Sequence, residues 1–309
     1  MKPVAALCSA VLCSAALAFA AFSAHAQTGF DVAITVDDLP AHGSVPPGVS
    51  RIDVARDYLA ALKAHNVPGV YGFVNAVALE REPGSGAALD MWRAAGYPLG
   101  NHTYSHMNIN SGSLEAFEAD LEKGEPAIRD RMKGEDWRYL RFPYLSAGDD
   151  AHHAGIIAYL KAHKYKIADV SISFNDWAYT ETYARCMAKG DSEAIESMKI
   201  QYMQGVKASI ARSLMASQKV YGRQISHVLL IHEGAFTALM LPEVLTAFEE
   251  EGAHFVTLDQ AQSDPAYSAP SAHQGEGLLI ERTAKEKGVD LGNDVPPDVD
   301  ISNLAGLCN

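Results

Sequence analysis

The sequence predicts a single α/β domain built as a barrel of parallel strands. Seven short apolar segments alternate with helical patterns along the chain, and polar side chains follow directly after five of these segments. No internal repeat or strong linker interrupts the pattern before about residue 260. Strands interleaved with helices indicate parallel pairing, because parallel strands need a helical crossover. The 309 residues fit this class, since α/β barrels commonly use about 250 residues as one domain.

Each predicted strand is a short run of apolar residues. The first, at residues 30–36, is rich in β-branched side chains, which is typical of a buried parallel strand. The seven predicted strands are residues 30–36, 69–74, 97–100, 138–142, 165–173, 226–231 and 254–258.

Helical patterns fill the intervals between the strands. Ser50 is a typical N-cap for the first helix, and Asp53 three residues later completes a capping pattern. Further helices are predicted around Leu89 and Trp92, at 114–121, at 156–160, over 191–219, around Leu245 and Phe248, and near 278–287. The expected organisation is a signal peptide at 1–26, a domain at 27–260 with a helical excursion at 178–222, and an irregular tail at 261–309 packed on the domain.

Composition and charge indicate the class of protein and make one kind of binding partner unexpected. Hydrophobic residues make up 48% of the chain and charged residues 20%, as in an ordinary globular protein. The formal net charge of −13 repels a polyphosphate backbone, so no nucleic acid partner is expected. The oligomeric state is not predicted.

The first 26 residues have the pattern of a signal peptide. Lys2 supplies a cationic start, an apolar stretch follows, and Ala24-His25-Ala26 is a typical cleavage site. The alternative is an uncleaved anchor helix, because the apolar stretch approaches spanning length. Cleavage predicts a periplasmic or secreted protein with no stable membrane association. The mature chain then keeps Cys186 and Cys308, which either form a disulfide that joins the excursion to the tail or remain two buried thiols.

Five polar clusters follow predicted strands, and this is the main functional observation. The carboxyl ends of strands in an α/β barrel converge on one face, where active sites are built. The clusters are Asp37-Asp38, His102 to His106, Arg141 to Tyr144, Asp176-Trp177, and His232.

Asp37, Asp38 and the two histidines His102 and His106 predict a metal site. The spacing of the histidines predicts two imidazoles on one face of a helical turn. One carboxylate and two imidazoles suit Zn²⁺ with an open position for water, while the other carboxylate stays free. The alternatives are a solvated acidic loop and two unrelated surface histidines.

His232 ends a predicted apolar strand, so the alternative to a catalytic role is a buried structural histidine. Asp176 offers an acid that would fix the tautomer of such a histidine and keep it cationic. The alternative for Asp176 is a loop cap, and for Trp177 ordinary packing.

The ordered clusters resemble the five motifs of the polysaccharide deacetylases, the NodB-homology enzymes of carbohydrate esterase family 4. The resemblance covers roughly residues 30–258 and implies a distorted (β/α)₇ barrel and metal-dependent removal of N-acetyl groups from an acetylated glycan. The motifs are Thr35-Val36-Asp37-Asp38, His102-Thr103-Tyr104-Ser105-His106, Arg141-Phe142-Pro143-Tyr144, Asp176-Trp177 and Leu230-Ile231-His232.

The resemblance also implies a role for each matching residue. It implies one divalent cation, with Zn²⁺ expected, held by Asp38, His102 and His106. The implied catalytic residues are Asp37 as base, Arg141 as its partner, Tyr144 as oxyanion donor, His232 as acid and Asp176 as its tuning partner; Trp177, Leu230 and Pro143 are implied in the substrate pocket. Two alternatives stay open, an O-acyl esterase that uses the same site and a noncatalytic exported protein that binds sugar or metal.

Overall fold

The computed structural model of the protein describes residues 29–268, 275–292 and 295–309, so the predicted signal peptide lies outside the described residues. The strands are β1 (Phe30–Leu39), β2 (Tyr71–Val74), β3 (Leu99–Asn101), β4 (Tyr139–Leu140), β5 (Lys166–Ile167), β6 (His227–His232) and β7 (Ala253–Phe255). The helices are α1 (Arg51–Ala64), α2 (Val77–Arg81), α3 (Gly86–Ala94), α4 (Leu114–Met132), α5 (His153–Ala162), α6 (Tyr179–Lys189), α7 (Ser192–Tyr221), α8 (Ala235–Glu250), α9 (Leu258–Gln262) and α10 (Leu279–Lys287). None of the described helices is both long and apolar enough to cross a bilayer.

The strands form one parallel sheet in the order β5-β4-β3-β2-β1-β6, which confirms the predicted parallel pairing. The remaining strand, β7, also pairs with β1 in parallel. Val32 of β1 is paired with His227 of β6 and with Phe255 of β7, so β6 and β7 lie on opposite edges of β1. The central strand β1 therefore has neighbours along both edges, which buries nearly all of it.

The predicted fifth strand is shorter and less regular than the sequence indicates. Only β5 itself pairs with β4, whereas Ile172 forms an isolated parallel bridge to Leu229 of β6. The backbone N–H groups of Ser171 and Ile172 donate to the Val228 carbonyl at 3.0 Å. Residues 166–172 thus lie between β4 and β6 and close the sheet into a distorted barrel, as expected for the single α/β domain.

The helix α1 begins with the predicted capping box. The Ser50 hydroxyl accepts a hydrogen bond from the Asp53 backbone N–H, and the Asp53 carboxylate accepts one from the Ser50 backbone N–H. Val54, Tyr58 and Leu62 then lie on one helical face and are buried. Local capping and amphipathic spacing therefore determine this element together.

The helical excursion at 178–222 contains two helices, α6 and α7. Gly190, with a φ of 67°, ends α6, and Asp191 caps the 30-residue helix α7. The tail contains the predicted short helix, α10, which packs on α7 with an ion pair of 2.8 Å between Arg212 and Glu281. A disulfide joins Cys186 of α6 to Cys308, so the alternative of two free thiols is wrong.

Candidate metal and acid–base site

The predicted polar clusters converge on a cavity of about 390 Å³ at the carboxyl ends of the strands. This is the face at which α/β barrels place active sites. The cavity is lined by Asp37, Asp38, His42, His102, His106, Phe142, Tyr144, Leu145, Ser173, Asn175, Trp177, Leu230 and His232. Arg141 and Asp176 are fully buried directly behind this lining.

The end of β1 turns two consecutive carboxylates toward the same place. In a regular strand Asp37 and Asp38 would point to opposite faces. The pairing register shifts between Val36 and Leu39, and Asp38 has a φ of 65°, a left-handed conformation that Asp tolerates better than most residues. As a result, the nearest oxygens of the two carboxylates lie 3.5 and 3.6 Å from the same atom, Nε2 of His102.

The predicted helical turn from His102 to His106 is wrong. These residues form a bent loop after β3, in which Thr103 and His106 both have a φ near 60°. The Thr103 backbone N–H donates to the Asn101 side chain at 2.9 Å, and the Thr103 hydroxyl accepts from the Met107 N–H at 3.1 Å. The loop still brings the two imidazoles together, with ring centroids 4.8 Å apart. The spacing of His102 and His106 in the sequence therefore correctly predicts that the two imidazoles lie close together, but wrongly predicts a helical turn.

Asp38, His102 and His106 each offer one ligand atom within 4.8 Å of the others, and we call these three residues the metal side. The Nδ1 of His102 lies 2.7 Å from the Arg141 carbonyl, which can only accept, so Nδ1 carries the proton. The unprotonated Nε2 of His102 therefore faces carboxylate oxygens of Asp37 and Asp38. Lone pairs converge here without a proton between them, which is the donor set of a cation site.

The protonation states of the metal side also suit a cation. Burial lowers the pKa of His102 to about 4, and burial lowers the pKa of His106 to about 4. Burial would raise the pKa of Asp38, but the hydrogen bond from His42 and the neighbouring imidazoles hold that pKa well below its usual range. Near pH 7 the metal side offers one carboxylate anion and two neutral imidazoles.

Asp37 is a buried carboxylate bound to a buried guanidinium. Nη1 of Arg141 lies 3.2 and 3.3 Å from its two oxygens, while Nη2 donates to the Thr35 hydroxyl at 2.9 Å and Nε to the Ala168 carbonyl at 2.6 Å. Burial raises the pKa of Asp37 to about 6, and the positive charge of Arg141 opposes that rise. Asp37 is therefore mainly ionised near pH 7 yet basic enough to accept a proton.

His232, the last residue of β6, forms a hydrogen-bonded pair with Asp176, and we call these two residues the acid side. His232 Nδ1 lies 2.9 Å from one oxygen of Asp176, and the His232 backbone N–H donates to the other oxygen at 2.7 Å. The Thr237 hydroxyl donates to that second oxygen at 2.9 Å. Burial alone would lower the pKa of His232, but the charge and hydrogen bond of Asp176 raise it to about 9. The pair thus holds a protonated imidazole near neutral pH.

The loop that carries Tyr144 is tied to the C-terminal tail. Tyr144 has a φ of 59°, an uncommon conformation for an aromatic residue. The Ala147 N–H donates to the Gly275 carbonyl at 3.0 Å, and Ser146 forms an antiparallel bridge with Glu276, whose carboxylate accepts from the Ser146 hydroxyl at 3.1 Å. The tail therefore braces this loop from outside the barrel.

The predicted pocket residues occupy different depths. Trp177 is 49% exposed and Tyr144 is 63% exposed, so both leave aromatic surface at the rim of the cavity for a ligand. Leu230 is buried in the cavity wall. Pro143 is buried too, but it does not belong to the described lining, in which its neighbours Phe142 and Tyr144 take part.

Two residues beside the site were not singled out from the sequence. His42 lines the cavity and contacts Asp38, but it lies on the loop after β1, where no periodic pattern marks it. Glu233 follows His232 directly and is buried, and neither of its carboxylate oxygens has a hydrogen-bond partner among the described residues. Burial raises the pKa of Glu233 to about 8, which keeps it mainly neutral at pH 7.

Comparison with known families agrees with the motif resemblance. Residues 25–168 match the family model described as polysaccharide deacetylase. This range contains Asp37, the metal side and Arg141, whereas the acid side lies beyond it. No curated protein matches the chain.

Solved structures of the same fold cover about three quarters of the chain. A chitin deacetylase from Colletotrichum lindemuthianum is 22% identical with a TM-score of 0.52, covering 79% of this chain and 90% of that one. A polysaccharide deacetylase from Bacillus cereus is 16% identical with a TM-score of 0.52, covering 74% and 91%. A mutant of a Bacillus anthracis CE4 family pseudoenzyme, with restored enzymatic activity, is 17% identical with a TM-score of 0.52, covering 76% and 68%. At these identities the likeness establishes the fold, and a pseudoenzyme among the relatives means that activity depends on the site itself.

Proposed function

We propose that the chain is a member of the polysaccharide deacetylase family and acts as a metal-dependent hydrolase that removes N-acetyl groups from an acetylated aminosugar polymer or oligosaccharide. Family and fold support deacetylase chemistry in general. The observation that carries the finer proposal is the convergence, in one cavity, of a cation donor set, a separate buried carboxylate and a protonated imidazole. A noncatalytic metal-binding protein would need only the first of these.

The metal side has the donors and charge that a divalent cation requires. Asp38, His102 and His106 would hold it, with Zn²⁺ expected from one carboxylate and two imidazoles. When bound, such a cation lowers the pKa of a coordinated water toward about 7 and polarises a carbonyl group.

Asp37 is proposed as the general base. Its carboxylate lies beside the metal side without belonging to it, and Arg141 fixes both of its oxygens in place. Asp37 then accepts a proton from the water that attacks the acetyl carbonyl. The Arg141 charge keeps the carboxylate ionised before that step and stabilises it against the loss of solvent.

Tyr144 and the rim residues are proposed to receive the acetyl group. The backbone N–H of Tyr144 would donate to the developing oxyanion, a contribution typically worth about 3 kcal/mol. Leu230 and Trp177 would border the acetyl methyl group, with Pro143 supporting the loop from below.

His232 is proposed as the general acid. An amine leaves poorly unless it is protonated, and the imidazolium of His232 supplies that proton at the cavity wall. Asp176 holds the ring in one orientation and stabilises its charge.

We also propose that the protein works outside the cytoplasm, either in the periplasm or secreted, after cleavage near residue 26. The Cys186–Cys308 disulfide supports this location, because such bonds persist in oxidising compartments. Residues 27–260 are proposed as the catalytic domain, with the 261–309 tail as its brace.

An acetate-release screen tests the proposal. The purified mature chain is incubated with chitooligosaccharides, acetylated peptidoglycan fragments and O-acetylated xylan, before and after treatment with a chelator and after Zn²⁺ is restored. We expect chelator-sensitive, Zn²⁺-restored release from at least one N-acetylated glycan. Release that is insensitive to complete metal removal, or that occurs from the ester substrate alone, would contradict it.

A further inference from the structure

His42 lies on the loop that follows β1 and contacts a residue of the metal side. Its Nδ1 is 2.7 Å from Oδ2 of Asp38. Because an ionised carboxylate can only accept, the His42 ring donates this hydrogen bond. One of the two oxygens of Asp38 therefore accepts a hydrogen bond from the loop that follows β1.

The other oxygen of Asp38 is in the opposite situation. Oδ1 is buried and has no hydrogen-bond partner among the described residues. It lies 3.6 Å from Nε2 of His102 and 3.8 Å from Nε2 of His106. A buried carboxylate oxygen without a partner is costly unless a cation completes its surroundings.

The loop holds His42 in place from several directions. Nη1 of Arg51 donates to the His42 backbone carbonyl at 3.2 Å, and the Ser44 N–H donates to the Glu181 carboxylate at 2.7 Å. The centroid of the His42 ring lies 4.9 Å from the centroid of the His232 ring. His42 is therefore clamped at the junction of the metal side and the acid side rather than exposed on a mobile loop.

We propose that His42 is a positioning residue that engages one oxygen of Asp38 and thereby presents the other oxygen to the cation. This inference rests on the proposed metal site. A carboxylate that is held through Oδ2 cannot rotate to offer both oxygens, so it binds through Oδ1 alone. Without the His42 donor the Asp38 carboxylate can rotate, so the site should bind the cation less tightly.

The test measures the affinity of the metal-free full chain for Zn²⁺ alone, by competition with a chromophoric chelator. His42→Ala and His42→Phe remove the donor, and the second keeps a ring in the space. His42→Asn keeps an N–H near the place of Nδ1. His163→Ala, at an exposed histidine, is the matched control. We expect Ala and Phe to raise the Kd for Zn²⁺ by about 10- to 100-fold, and Asn to restore most of the affinity.

The outcomes separate this inference from the proposed function. If the unaltered chain binds Zn²⁺ and His42→Phe, shown to be folded by circular dichroism, binds it equally tightly, the role of His42 is overturned and the metal site stands. Equal weakening by Asn and Phe also overturns it, because the donor would then be irrelevant. If the unaltered chain binds no Zn²⁺, the proposed metal site falls, and this inference with it.

Discussion

The metal side and the acid side of the cavity both contain buried histidines, but in opposite protonation states. On the metal side, burial lowers the pKa of His102 and of His106 to about 4, so these imidazoles are neutral and can bind a cation. On the acid side, His232 is also buried, yet its pKa is raised to about 9. The difference lies in the partner, since His232 donates to the carboxylate of Asp176 whereas His102 donates to a neutral carbonyl. In this site a buried histidine is therefore neutral unless its ring donates a hydrogen bond to a buried carboxylate.

The two walls also differ in how they could be recognised. The family match at residues 25–168 contains the whole metal side and stops before the acid side. The register of β1 and β6 brings the two walls together, since Asp37 is paired directly with His232 across the sheet. The candidate site therefore depends on sheet pairing between distant parts of the chain.

The largest effect on the deacetylation rate is expected from replacing Asp37, the proposed base beside the metal side. Asp37→Asn leaves Asp38, His102 and His106 intact, so Zn²⁺ should remain bound while the deacetylation rate falls by about 10³-fold. His106→Ala should abolish both activity and metal binding. Metal content and kcat/KM on an N-acetylated oligosaccharide distinguish the two. A near-normal rate for Asp37→Asn would mean that the base is another residue.

The second-largest effect on rate is expected from replacing His232, and it should differ between amide hydrolysis and ester hydrolysis. His232→Ala removes the proton donor for the leaving group and should lower amide hydrolysis by about 10²-fold. Ester hydrolysis should fall much less, because an alkoxide leaves with less help from a proton. The ratio of the two rates is the measurement, with metal content as the control. Equal losses on both substrates would contradict the assignment of His232 as the proton donor to the leaving group.

Replacing the partner of His232 should move one limb of the pH–rate profile. The pKa of His232 is raised, so its active imidazolium predominates below about pH 9 and is lost as the pH rises through that value. Asp176→Asn removes the anion, and burial then lowers the pKa, so the alkaline limb of kcat/KM should move to lower pH. Above the new pKa, the rate should fall about tenfold for each further pH unit. Asp31→Asn, at an exposed position, should leave the limb in place, and an unmoved limb in Asp176→Asn would contradict the pairing.

The smallest effect on rate is expected from the disulfide. Cys186 lies on α6, in the segment that follows Asp176, so the bond joins this segment to the tail. Cys186→Ser should lower the free energy of unfolding by about 2–4 kcal/mol while Zn²⁺ affinity stays unchanged. Denaturant unfolding and metal titration measure both quantities. Cys308→Ser should have the same effect, and a loss of Zn²⁺ affinity in either variant would show that the two walls are coupled.

The sequence by itself determined the elements and the location of the chemistry. Apolar runs such as 30–36 specify strands, and Ser50 with Asp53 specifies a helix start, because both signals lie within a few residues of one another. Parallel strands place their carboxyl ends on one face, so the convergence of the polar clusters follows from the chain alone. The resemblance to five ordered motifs added an expected role for each cluster.

Only the tertiary structure decided the conformations and charges within the site. No local pattern indicates the left-handed backbone at Asp38 or the bent loop at His106. The ring contact between His42 and His232 and the hydrogen bond from Ala147 to the Gly275 carbonyl join residues that are far apart in the chain. The protonation of each histidine likewise depends on whether burial or a buried anion dominates around it. A local pattern carries no information on either quantity, because desolvation and charge are set by every group packed around a residue rather than by the residues adjacent to it in the sequence.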